Sequence, residues 1–290
     1  MFHIIRNRKY WYIISLLIIV PGIISLFIQG LNWGIDFTGG TILEIKFTKD
    51  VASQDIRNVI TQNRIKVSSI QVTSEGNYLI RTEELDTAKR DAIVKSLENN
   101  LGKLEVLRED RIGSIVSQEL LQKAFLALVI ASVLMLIYIT FRFEFYFGVA
   151  AILALLHDVL VTIGIFSIFQ WEVDSSFVAA ILTIIGYSIN DTIVIFDRIR
   201  ENLKYREKGE ALEDLINKSL WQTMTRSINT VMTVIFVLVS LLLFGGSSIK
   251  VFVTAMLIGV TSGAYSSIFN ASPIWYDLKR LSSKGDKGRK

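Results

Sequence analysis

Polar and ionisable side chains buried in apolar stretches are the residues of this chain that could do chemistry. The stretch Ser176–Phe196 contains Asn190 and Asp191, with Thr183, Tyr187 and Val194 near the same helical face at spacings of three or four. Asp191 precedes Arg198 by seven residues. At 1.5 Å per residue it lies roughly 10 Å inside the end of the stretch. A carboxyl at such depth is costly and marks an ion or proton path by default. Burial and a neighbouring cation favour opposite protonation states, so the group can take up a proton at one stage of a cycle and release it at another. The plainer alternative is a polar contact that holds a helix bundle together. Arg226 heads the next apolar stretch and shares a face with Asn229, Thr230 and Thr233. It either sits against a carboxylate or snorkels to the headgroups. His157 and Asp158 fall near the middle of a third stretch. A histidine there can relay protons. Adjacent helical side chains leave the axis about 100° apart, so the expectation is a polar interhelical contact and no simple dyad.

The elements that must hold these residues are six apolar runs, Tyr10–Gln29, Ala124–Phe141, Phe145–Phe169, Ser176–Phe196, Ser227–Phe244 and Val251–Ala271. Each is long enough to cross a bilayer, and each reads as a transmembrane helix that satisfies its own backbone. The 290 residues are 51% hydrophobic and only 20% charged, which argues against an ordinary soluble enzyme. Cys is absent and there are two His, so neither a disulfide framework nor a thiolate or His-rich metal site is expected, and no cofactor. The first run follows Arg6, Arg8 and Lys9 and lacks a small-x-small cleavage site, so it reads as a retained anchor. Basic residues crowd the N-terminus, the linker carrying Arg142, the linker from Arg198 to Arg226 and the tail; the opposite short loops hold only Lys250. Both termini therefore read as cytoplasmic. Trp11, Trp33, Trp171, Trp221 and Trp275 fall near run ends, as interfacial aromatics do, and Pro273 is placed to stop the last helix.

Ala255, Gly259, Gly263, Ser267 and Ala271 repeat every four residues, a small-residue stripe for close helix packing. Residues 31–123 read as a folded extracytoplasmic domain with 13 basic and 14 acidic residues. Strands are expected at Thr41–Thr48, Lys66–Thr73, Tyr78–Thr82 and Leu104–Arg108, with a turn at Glu75–Asn77. Helices are expected at Ala52–Asn63, with Ser53 as N-cap, and at Asp86–Asn100, ended by Gly102. That βαββαβ order is ferredoxin-like. Residues 124–272 then hold helices two to six, and 273–290 a basic, frayed cytoplasmic tail. Gly34, Asp36, Gly39 and Gly40 sit where the first helix ends; a strand follows them, so they read as a close-packed junction and not as a phosphate loop. The fold class is thus a six-helix polytopic membrane protein with a small α+β external domain.

The stretches Gly34-Ile-Asp-Phe-Thr-Gly-Gly40, Phe141-Arg-Phe-Glu144, His157-Asp-Val159 and Ile185-Gly-Tyr-Ser-Ile-Asn-Asp-Thr-Ile-Val194 stand in this order. Asp197-Arg-Ile-Arg-Glu-Asn202, Arg226-Ser-Ile-Asn-Thr230 and Leu243-Phe-Gly-Gly246 follow. Together they resemble the SecF family, the smaller membrane subunits of the bacterial SecD–SecF protein-export complex, within the resistance–nodulation–division superfamily. The resemblance implies a subunit of the bacterial inner membrane that works with SecD, the SecYEG channel and commonly YajC and YidC. It implies use of the proton-motive force to help unfolded preproteins across the membrane. It also implies that the family's membrane carboxylate and basic residue fall on Asp191 and Arg226, with a principal proton-carrying Asp supplied by the SecD half and Asp191 auxiliary to it, and that the chain is not an enzyme. Three rival readings stay open. They are an intramembrane aspartyl protease using Asp158 and Asp191, a small-molecule exporter of the same superfamily, and a structural subunit that stabilises SecD. Oxygen ligands near Asp191 (Asn190, Ser188, Thr192) leave Na⁺ open as the coupling ion.

Overall fold

Apolar runs with no lipid-free alternative become helices because each backbone group finds its partner within the segment. The computed structural model describes residues 3–73 and 76–287. It contains six helices long and apolar enough to cross a membrane. They are α1 (Arg8–Ile28), α5 (Ser114–Arg142), α6 (Phe145–Phe169), α7 (Ser175–Lys204), α8 (Leu212–Phe244) and a composite sixth span. The sixth consists of α9 (Lys250–Ser266), a π turn (Ser267–Ala271) and α10 (Ser272–Lys287). Two compact units result: one holds the described residues through Asn32 and from Ala127 onward, the other holds Trp33–Leu126.

Several helices outrun the apolar stretches that announce them. The basic linker before Arg226 is mostly the first turns of α8, and α7 continues to Lys204. Hydropathy marks the part of a helix that needs lipid, whereas the hydrogen-bond ladder continues until something breaks it. Pro273 does not end the last helix. The π turn resets the ladder, so Pro273 falls in the first turn of α10, where a missing N–H costs little. The tail is accordingly helical through Lys287 instead of frayed, and its last three residues lie outside the described ones. Trp275 is not interfacial either. It is fully buried and stacks on Phe147 with ring centroids 4.4 Å apart.

Close approach in this unit is made by small residues. A Cβ on Gly22 of α1 would lie 2.8 Å from Gly164 Cα of α6, so the two backbones touch directly. On α9, a Cβ on Gly259 would collide with Ile184, and one on Gly263 would stand 3.1 Å from Ser188 Cβ. Ser267 continues the series and meets Thr192, hydroxyl to hydroxyl, at 2.9 Å. Ile184, Ser188 and Thr192 of α7 therefore run in step with Gly259 and Gly263 of α9 and Ser267 of the π turn, ridge against groove at every fourth residue.

In the other unit, helical turn α2 (Ile35–Thr38) precedes strand β1 (Gly40–Phe47). Then come α3 (Ser53–Gln62), β2 (Val67–Val72), β3 (Tyr78–Thr82), α4 (Thr87–Leu101) and β4 (Leu104–Ile112). The four strands lie in the order β2-β3-β1-β4, every neighbouring pair antiparallel. Alternate residues Leu43, Ile45 and Phe47 of β1 join Ile56, Ile60, Ile93 and Leu97 of the two helices in one core. Ala52, not Ser53, is the N-cap of α3, and Ser53 is its first helical residue. Asp86 caps α4 by accepting from Lys89 N at 2.7 Å, and Gly102 ends it at φ 103°. The expected turn at Glu75 falls partly outside the described residues; Thr73 and Asn77 on either side of it are joined by backbone hydrogen bonding.

The Gly22–Gly164 contact has no room for a side chain. Gly164→Leu is expected to push α1 off α6 and lower the thermal unfolding temperature of the purified chain in detergent, at an overpacking cost of about 1–3 kcal/mol. Unchanged unfolding would show that the two helices separate freely.

Candidate functional site

Two polar sites face α7 from different neighbours. The first centres on Asp158 of α6, whose side chain is 0% exposed. Ser188 Oγ of α7 donates to its Oδ2 at 2.6 Å, and Ser266 Oγ of α9 donates to the same oxygen at 2.7 Å. Ser262 Oγ of α9 donates to Oδ1 at 2.7 Å. His157 Nδ1 lies 3.0 Å from Oδ1. Among the described residues Asp158 forms no ion pair with a Lys or Arg, and its one charged partner there would be His157. Histidine and aspartate do therefore meet, against the expectation from their helical angle. Adjacent side chains start about 100° apart, yet a short carboxylate and a ring nitrogen on neighbouring Cα atoms still reach each other.

The second site centres on Asp191 of α7, 6% exposed. It is not part of the Asp158 network. Arg226 and Ser227 of α8 are neighbours of its carboxylate, but among the described residues no ion pair within 4.0 Å joins Asp191 to Arg226, and the buried Ser227 Oγ makes no hydrogen bond. Tyr187 donates to Thr230 O at 3.3 Å, and Thr230 donates its own hydroxyl to Arg226 O at 2.9 Å. Asn190 and Thr183 of α7 and Arg226 and Asn229 of α8 are exposed on this chain, although they belong to apolar spans. Asp158 is thus held by hydroxyls of α7 and α9, and among the described residues no hydrogen bond joins it to Asp191.

A third set lies at the helix ends. Arg142 pairs with Asp197 at 3.2 Å, Lys279 pairs with Glu144 at 3.2 Å, and Arg198 binds Gln222 at 2.7 Å. In the sheet-containing unit, Gly34 has an ordinary extended ψ and caps α2, whose first turn carries Asp36. Gly39 and Gly40 have φ of 74° and 137°, which favour glycine. A Cβ on Gly39 would stand 3.2 Å from Ser114 Cα, and one on Gly40 would stand 2.5 Å from Thr82 O. Among the described residues no group of three or more His, Cys, Asp and Glu could hold a metal ion.

Ser188, Ser262 and Ser266 were not legible as ligands of Asp158. The usable signal is that Ser262 and Ser266 flank Gly263 on one face, and that Gly263 leaves 3.5 Å between its missing Cβ and Asp158 Oδ2.

Comparison with known proteins places this geometry. Residues 92–281 match the family model described as protein export membrane protein SecD/SecF, C-terminal, and residues 24–51 match the SecD/SecF GG motif. The protein translocase subunit SecF of Sebaldella termitidis is 44% identical over 284 residues, covering 96% of this chain and 92% of its own. The SecF of Acidaminococcus fermentans is 45% identical over 286 residues, covering 96% and 98%. The crystal structure of SecDF, a translocon-associated membrane protein from Thermus thermophilus, superposes with TM-score 0.88 at 32% identity, covering 96% of this chain and 39% of that one. This chain therefore spans about two fifths of that solved protein.

Asp158→Ala removes the acceptor of three hydroxyls and a histidine. It is expected to destabilise the membrane unit by about 3 kcal/mol, read as earlier thermal unfolding in detergent, with Asp158→Asn less severe. Equal stability of all three proteins would show that the network carries no packing energy.

Proposed function

This chain belongs to the SecF family of SecD/SecF protein-export membrane proteins, and from that membership we propose that it is the SecF half of a SecD–SecF pair. It is a multi-pass membrane protein. The observation that carries the pairing is the exposure of Asn190, Thr183, Arg226 and Asn229 within apolar spans. Polar side chains in a membrane face protein or water in preference to lipid. A second six-helix half supplies that cover, and SecD is the half that this family pairs with. The external unit is proposed to be ferredoxin-like, in keeping with its βαββαβ order and antiparallel strand order.

In this reading the complex sits in the bacterial cytoplasmic (inner) membrane with both termini of the chain in the cytoplasm, and works beside SecYEG, with YajC and YidC. It is a transport subunit and not an enzyme. The proton-motive force is coupled at Asp191, with Arg226 and Asn190 beside it. Protonating Asp191 weakens its attraction to Arg226, and the loss of that attraction biases the bundle between two packings. The His157–Asp158 network supports that bundle on one face of α7, and Thr230, with Asn229 on the same helix, supports it on the other. The Gly34–Gly40 junction passes its change to the external domain. One proton crossing 100 mV carries about 2.3 kcal/mol. That biases a conformational equilibrium severalfold but does not unfold a domain, so the substrate is an unfolded preprotein moved, or kept from sliding back, in small steps.

Pulse-chase labelling of secreted preproteins in depleted cells tests this. Wild type should restore processing, and Asp191→Asn, matched for membrane level, should leave precursor accumulating severalfold. Equal rescue by both would remove Asp191 from coupling. No precursor accumulation on depletion would remove the export role itself.

A further inference from the structure

One cluster at the helix ends is used neither by the coupling at Asp191 nor by the Asp158 network. Arg142 is the last residue of α5, and only Phe143 and Glu144 separate it from Phe145, the first residue of α6. A short turn between two spanning helices lies at the membrane boundary, because hydrocarbon tolerates no uncovered irregular backbone. There Arg142 Nη2 donates to Asp197 Oδ2 of α7 at 3.2 Å, and Arg200 Nη1 of α7 lies 3.9 Å from Asp197 Oδ1. Arg200 also donates to Arg142 O at 3.3 Å. Both guanidinium groups lie over one ring: Arg142 Cζ is 5.5 Å and Arg200 Cζ 5.8 Å from the centroid of Phe143. That ring is buried and held by Phe147 and Phe196, with centroids 6.1 and 6.2 Å away. Two arginines from two helices are therefore fixed on one aromatic base, and each remains partly exposed.

The charges there do not balance. Asp197 is shared by both arginines. Glu144 in the turn is paired with Lys279 at 3.2 Å, and Glu201 of α7 with Arg198 at 2.6 Å. Lys204 is exposed, follows Arg200 by four residues on one face of α7, and has no ion pair among the described residues. Three cations against one carboxylate leave a surplus of two positive charges. A guanidinium carries five N–H donors in a fixed fork. Each arginine spends one nitrogen on the partners above. The donors left over suit phosphate oxygens, which such a fork binds in pairs. Apolar surface adjoins them. Phe141 is 89% exposed and Phe145 70%, one on each side of the turn, and α5 is the least buried of the six spans.

From this geometry we infer that Arg142, Arg200 and Lys204 form a binding site for the phosphodiester headgroup of an anionic phospholipid, whose acyl chains cover Phe141 and Phe145. The phosphate takes the N–H donors that Asp197 leaves open. The surplus charge selects lipids of net negative charge over zwitterionic ones, whose own cation offsets the phosphate. The exposed phenyl rings select a lipid over a free phosphate ion, which has nothing to cover them. A lipid so held bridges α5 to α7. Neither Asp191 nor export enters this binding.

Native mass spectrometry of the full chain in detergent, titrated with dioleoylphosphatidylglycerol or dioleoylphosphatidylcholine, tests the site. Wild type should bind the first phosphatidylglycerol severalfold more tightly than the first phosphatidylcholine. A basic residue near an anionic lipid contributes about fivefold, so Arg142→Gln with Arg200→Gln should weaken phosphatidylglycerol binding about 25-fold and leave phosphatidylcholine nearly unchanged. Arg198→Gln should cost little, since Arg198 is engaged by Glu201 and Gln222. Asp197→Asn removes the competing carboxylate and should tighten phosphatidylglycerol binding, which loss of a merely structural ion pair would not do. That variant also tests the site if the double substitution fails to fold. Equal losses in Arg198→Gln and the double variant would show attraction to bulk charge and overturn the site. Weaker binding in Asp197→Asn, or equal binding of the two lipids, would overturn it too. Full lipid preference in the double variant would free the arginines for an acidic segment of a partner protein. Displacement of the lipid by equimolar inorganic phosphate would overturn the lipid as occupant.

Discussion

An ionised carboxylate in an apolar helix bundle must be solvated by the bundle itself, since each missing partner would cost as much as the fold can spare. At Asp158 the solvent is three serine hydroxyls and an imidazole, drawn from α6, α7 and α9. Much of the local packing follows from that demand. Hydroxyls are short, so the helices that carry them must come close. Closeness in turn requires Gly263 opposite Ser188 and Gly259 opposite Ile184. The small-residue stripe of α9 is thus more than a groove for a neighbour. It brings Ser262 and Ser266 within reach of one carboxylate.

The same helix, α7, divides its duties by face. Ser188 and Thr192 turn to α9, Asp191 turns to α8, and Asn190 and Thr183 remain uncovered. One element therefore touches a saturated polar network, a less saturated carboxylate and a bare polar strip. A shift of α7 along α9 would disturb the first while changing the second.

The helices were legible as runs because lipid-crossing segments must be apolar for about 20 residues, a signal that needs no tertiary information. Their ends were not. α8 begins at Leu212, well before its apolar stretch, because amphipathic turns at the membrane edge read as linker. The sheet-containing unit was readable as alternating strands and helices, but the cap of α3 slipped by one residue since Ala52 already has the extended conformation of a cap without the side chain of one. Gly39 and Gly40 were readable only as part of a close-packed junction; their positive φ values came from the structure. The Gly22–Gly164 contact was not, because a lone glycine within an apolar run carries no pattern, and only the facing helix gives it meaning. The His157–Asp158 contact was misjudged for a different reason: helical angles describe where side chains start, and short side chains can end elsewhere. Asp158's serine ligands come from two helices far apart in the chain, so no spacing rule connects them.

The π turn at Ser267–Ala271 holds one more residue than an α-helical turn would need there. Everything after it is rotated by about 100° about the helix axis relative to an uninterrupted continuation. That rotation decides which side of α10 is the inward one. It places Trp275 against Phe147 and Asp277 against Arg8 and Tyr12. The end of the bundle that holds Trp275 and Asp277 is therefore locked by a phase offset written into five residues. A chain that lost one residue from that segment would keep its hydropathy profile and length almost unchanged, yet would present a different set of side chains to every partner of its last helix.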